Sequence, residues 1–153
     1  MSSLLTDGVY KIENIGRGLM LDLKGLQEGT TIEGHSDNGS VAQQWIITDQ
    51  SQPGFTFSRQ TVTIQSTVAG PTGMDSLLQK YRCYLQDSGE RVLYTMKKCF
   101  VNVLGASDDG FSVYYENNNL VLAIPSRTQP EVKLENFTAG NARQMWRFIR
   151  VES

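Results

Sequence analysis

The sequence predicts an all-β fold of three four-stranded units, and three observations predict it. Gln43-Gln44-Trp45-Ile46-Ile47 returns as Gln144-Met145-Trp146-Arg147-Phe148, so Gln-x-Trp followed by alternating side chains occurs twice. Trp45 and Trp146 are the only two tryptophans, and they lie two periods of about 50 residues apart. Short alternating runs punctuated by Gly, Asn and Ser fill the chain, without helical periodicity. Residues i and i+2 of a strand share a face, so Gln43 and Trp45 are expected to point the same way. The ring then fills a core while the amide satisfies buried backbone groups near a turn.

The first unit starts with Val9 to Asn14, an alternating run that stops at Ile15-Gly16-Arg17-Gly18. Leu19 to Leu23 is a second short strand ended by Lys24-Gly25, and Gly29 to His35 holds a third. A small polar loop, Ser36 to Val41, leads into a fourth strand over Gln43 to Thr48. The last unit repeats the order: Gly110 to Tyr115, Leu120 to Pro125, Glu131 to Glu135, and Gln144 to Arg150. The middle unit is degenerate. Gly54 to Phe57 and Val62 to Ile64 start it, and Val68 to Leu77 is an irregular insertion. Arg82 to Gln86 and Val92 to Thr95 read as strands, and Lys98-Cys99-Phe100 falls where a third Gln-x-Trp is due, with Phe100 in the aromatic place.

Twelve short antiparallel strands need closure, because open edges invite pairing with other chains. Three four-stranded units with pseudo-threefold symmetry make a β-trefoil, whereas a β-sandwich would leave the repeat unexplained. The chain of 153 residues reads as one domain, 1–153, with units at approximately 8–50, 54–105 and 109–151.

Composition narrows the function classes. Hydrophobic content of 39% and charged content of 20% are those of a globular chain. A net charge of −2 argues against nucleic acid and anionic membrane as partners, since both need a basic field. No apolar run approaches the ~20 residues of a membrane span, so no insertion is expected. The start lacks a basic segment followed by an apolar one, and the expected location is cytoplasmic with Cys83 and Cys99 reduced. No metal motif, catalytic triad or cofactor fingerprint is visible.

Gly8-Val9-Tyr10-Lys11-Ile12-Glu13-Asn14, Leu21-Asp22-Leu23, Ile32-Glu33-Gly34-His35, Gln43-Gln44-Trp45 and Gln144-Met145-Trp146 together resemble the ricin-B-type β-trefoil lectins, especially the small fungal (mushroom) ones. The resemblance implies a non-enzymatic carbohydrate-binding protein whose partners are glycans or glycoproteins. It also implies a sugar site made of an Asp after the second strand, an aromatic face beside the third, and an Asn-Gln pair opening the fourth. A carboxylate and amides bond vicinal hydroxyls, and a flat ring takes the C–H face of a sugar. In the first unit Asp22 fills the acidic place, His35 the ring place, and Gln43 orients Asp22 and the turn; Asn38 and Asp37 stand on the adjacent loop. Ala42 stands where the Asn is expected. In the third unit Ala123 and Arg143 replace the Asp and the Asn, so that site is expected to be dead, and the middle unit offers none. Asp22 also has a plainer reading, as a turn cap next to Gly25.

A rival reading is a serine protease inhibitor. In Pro125-Ser126-Arg127-Thr128-Gln129-Pro130 an arginine sits mid-loop with a proline on each side, and proline reduces the freedom lost on docking. Arg127 on a stiff, extended loop suits a trypsin-like pocket with its buried Asp, and Lys24 is a second candidate. Certain trefoil relatives inhibit proteases through single loops. A third reading is a non-catalytic subunit that binds a partner protein through Tyr81, Tyr84, Tyr94, Tyr114 and Tyr115. Homodimerisation would let weak sites act together.

Overall fold

The structure is a computed structural model describing residues 5–24, 31–50, 59–67, 84–88, 91–95, 101–105, 110–115 and 120–151. Among these, the strands in chain order are β1 (Gly8–Asn14), β2 (Leu19–Leu23), β3 (Ile32–His35), β4 (Trp45–Asp49), β5 (Arg59–Ser66) and β6 (Tyr84–Ser88). They continue as β7 (Arg91–Thr95), β8 (Val101–Gly105), β9 (Phe111–Tyr115), β10 (Leu120–Ala123), β11 (Lys133–Asn136) and β12 (Trp146–Arg150).

Six of them close a barrel. β1 pairs with β4, β4 with β5, β5 with β8, β8 with β9, β9 with β12, and β12 returns to β1, all antiparallel. Closure leaves these strands without a free edge. The other six form the hairpins β2–β3, β6–β7 and β10–β11. The hairpins meet where the Val132 amide donates to Ile32 O (2.9 Å) and the Val92 amide to Val132 O (3.1 Å). Ile32, Val92 and Val132 are all fully buried, so one β-branched side chain from each unit fills the junction.

The strand registers repeat with the units. Trp45 stands opposite Tyr10 and Ser66, and Trp146 opposite Phe111 and Asn14. The matching place in the middle unit is opposite Val62 and Tyr115, and Val101 occupies it. The sequence predicts Phe100 there; Lys98 to Phe100 lie outside the described residues, as do Gly54 to Phe57, Val68 to Leu77, Cys83 and Cys99. β8 escapes sequence reading because Val101-Asn102-Val103-Leu104-Gly105 carries no turn signal before it and no aromatic marker.

Both tryptophans are fully buried. Their indole N–H groups donate to Leu21 O and Leu122 O, each at 3.0 Å, so each ring is tied to the hairpin of its own unit. Burying ~150–250 Å² of ring is worth about 4–6 kcal/mol before ordering costs.

The fourth strand starts later than the sequence predicts, at Trp45 and Trp146, because the two preceding segments wind into 3₁₀ turns, Val41–Gln43 and Ala142–Gln144. Each turn has a short polar cap: the Ser40 hydroxyl accepts from the Ala42 amide, and the Asn141 side chain from the Arg143 amide. Gly39 and Gly140 precede the caps at φ +71° and +76°, a left-handed conformation that glycine adopts without strain. Gln43 and Gln144 therefore leave 3₁₀ turns rather than strands, yet both are buried beside their tryptophans.

Candidate functional site

In the first unit the β2–β3 hairpin and the 3₁₀ turn converge on Gln43. Its Nε2 donates to Asp22 Oδ2 (2.8 Å) and to Ser36 O (2.8 Å), and its Oε1 accepts the Asn38 amide (3.1 Å). One side-chain amide thus joins β2 to the loop after β3. Asp22 is 5% exposed, and among the described residues nothing bonds its Oδ1. His35 is exposed at the end of β3, with Nδ1 3.0 Å from Ser36 O. Residue pairing sets His35 opposite Met20 and Asp22 opposite Glu33. Opposed residues, and residues two apart, share a face, so Asp22 and His35 belong to one face of the hairpin.

The loop residues are spent largely on shaping the loop. Asn38 Oδ1 accepts the Ser40 amide (2.9 Å), and Asp37 accepts the Lys11 ammonium (2.8 Å) and the Gly39 amide (3.2 Å). The hydrogen bonds from Lys11 and Gly39 hold the Asp37 carboxyl below the usual carboxylate range.

The third unit reuses the glutamine but not the aspartate. Gln144 Nε2 donates to Glu135 Oε1 (2.7 Å) and Asn136 O (2.9 Å), and Gln144 Oε1 accepts the Thr138 amide (2.8 Å). These three bonds match those of Gln43 one for one, with the carboxylate moved from β2 to β11. Arg143 then closes on Glu135, Nε to Oε1 at 2.9 Å and Nη2 to Oε2 at 3.3 Å. Sequence reading finds Ala123 and Arg143 but misses Glu135, because a carboxylate supplied by the opposite strand leaves no signal at the motif position. In register terms Glu135 stands where His35 stands, opposite Val121 as His35 is opposite Met20.

The loop around Arg127 differs from the extended arm the sequence predicts. It bends at 127–129, where the Ser126 hydroxyl accepts the amides of Thr128 and Gln129 (3.3 Å each). The Arg127 guanidinium folds back to donate to Arg17 O, while Arg17 donates to Ile124 O and Pro125 O. The Arg127 side chain is exposed and bonds its own chain. Lys24 is exposed just past β2. Of the tyrosines, Tyr114 is buried and Tyr115 half-buried, while Tyr81 lies outside the described residues.

Among the described residues no group of three or more His, Cys, Asp or Glu side chains is placed to hold a metal ion, and no helix is long and apolar enough to cross a membrane.

No protein-family model matches the chain, and no curated protein does. Solved structures do. The Macrolepiota procera ricin B-like lectin, solved in complex with lactose, gives a TM-score of 0.73 at 18% identity, covering 98% of this chain and 100% of that one. The Rhizoctonia solani agglutinin gives 0.72 at 21% identity, covering 99% and 100%. The BEL β-trefoil gives 0.69 at 10% identity, covering 97% and 96%. These likenesses show the fold alone: the chain is a β-trefoil.

Proposed function

We propose that the chain is a carbohydrate-binding protein, a lectin rather than an enzyme, with one glycan site in the first unit. The observation that carries this reading is the Asp22 carboxylate. It is 5% exposed, held through Oδ2 by Gln43, and its Oδ1 has no partner among the described residues. A buried acceptor left bare costs free energy, and sugar hydroxyls meet it with charge-assisted bonds. His35 flanks the sugar ring from the same hairpin face, and Asn38 braces Gln43 through its amide. Ala42 brings no polar side chain to compete for a carboxylate, whereas in the third unit Arg143, at the equivalent place, bonds Glu135.

The likeness to a lectin solved with lactose supports the same reading and makes lactose the first sugar to test. A single shallow site of this kind binds between about 1 mM and 1 μM, roughly −4 to −8 kcal/mol. Extended glycans or a second copy of the chain would supply avidity. A glycan array probed with the wild type and with Asp22→Asn and Asp22→Ala tests the reading, with near-UV circular dichroism as the fold control. Binding by the wild type and at least a tenfold weaker signal from folded variants is expected. A blank wild-type array, or equal binding by all three, overturns it.

A further inference from the structure

We propose that His35 recognises its ligand as a hydrogen-bond acceptor, through Nε2, and is the residue that selects neutral sugars presenting a pair of neighbouring hydroxyl donors. This rests on the glycan reading above and adds a role that a stacking ring does not have.

Ser36 O receives Gln43 Nε2 at 2.8 Å and lies 3.0 Å from His35 Nδ1. A carbonyl oxygen only accepts, so the hydrogen of that second bond belongs to Nδ1. A neutral imidazole protonated at Nδ1 has its lone pair on Nε2. His35 is exposed, and among the described residues nothing bonds its Nε2. Asp22 lies on the same hairpin face, 5% exposed, and among the described residues nothing bonds its Oδ1. The two acceptors are linked through Gln43 and Ser36 into one network: Asp22 Oδ2, Gln43 Nε2, Ser36 O, His35 Nδ1.

A face that offers two acceptors fits a ligand that offers two donors. Two neighbouring hydroxyls of a neutral sugar do so. Methylating either hydroxyl removes one bond, and an acidic sugar adds repulsion. Among the described residues, the elements next to His35 carry Asp22 on β2, Glu33 on its own strand, Glu131 bridged to Glu33, and Asp37, which is paired with Lys11 of β1.

His35 is the sole histidine, so its spectrum is unambiguous. Long-range ¹H–¹⁵N NMR of the free protein at pH 8 is expected to show the hydrogen on Nδ1; an Nε2–H tautomer overturns the proposal whatever the protein binds. The second arm probes an array of neutral oligosaccharides, lactose among them, with the wild type and His35→Phe. The phenylalanine variant keeps a flat ring but is expected to bind several-fold more weakly. Full binding by His35→Phe shows a ring that only stacks and overturns this proposal alone. A blank wild-type array overturns the glycan reading, and this one with it.

Discussion

The first and third units solve one problem with different parts. In both, a buried glutamine from a 3₁₀ turn bonds a carboxylate, a backbone carbonyl and a backbone amide. In the first unit the carboxylate comes from β2, and one of its oxygens stays open among the described residues. In the third it comes from β11, and an arginine takes up both oxygens. The glutamine motif is therefore a structural clasp that pins the hairpin to the barrel, and it is kept in both units although the carboxylate it holds is not.

The largest test of this comparison is the tryptophan pair. Trp45→Ala and Trp146→Ala should each destabilise by about 3–5 kcal/mol in chemical denaturation, since both rings are fully buried. A cost under ~1 kcal/mol at either place would show that the two units are not held alike. Next come the clasps themselves. Gln43→Ala and Gln144→Ala should each cost about 1–3 kcal/mol, because each leaves buried polar groups unpaired. Gln43 should cost more, because Glu135 keeps Arg143 whereas Asp22 loses its one described partner. A larger loss at Gln144 would contradict that ordering.

Smaller effects sharpen the contrast. Arg143→Ala should cost at most about 1 kcal/mol, because the side chain is 41% exposed and the pair is screened by water. That cost should shrink as salt is raised, and a salt-independent loss of several kcal/mol would mean the pair acts as buried. The mildest difference is acid sensitivity. Asp37, whose folded carboxyl is held low by Lys11 and Gly39, contributes stability above the usual carboxylate range. That contribution is lost as pH falls through its lowered folded value. Wild type should exceed Asp37→Asn in stability at neutral pH, and the two should converge in strong acid; a constant gap down to low pH would remove Asp37 from the account.

The strands of the first and third units were legible because alternation and the Gln-x-Trp pair mark them directly. Gln43 was legible for the same reason and Asp22 through the family resemblance, and the structure joins them by one hydrogen bond. Glu135 was not, because register across β10–β11 places it and no local pattern announces it. Val101 was missed because valine does the work of a buried ring without its signature. The bend at Arg127 was missed because the proline on each side reads as an extended loop while the Ser126 hydroxyl turns it, and the guanidinium's contact with Arg17 joins segments remote in sequence.

By itself the sequence determined periodicity, and periodicity settles which residues can share a face and how many units must close together. Only the tertiary structure decided which carboxylate meets each glutamine and whether an arginine covers it. Those choices lie between segments remote in sequence, where the energy belongs to pairs of groups, and neither member reveals its partner alone.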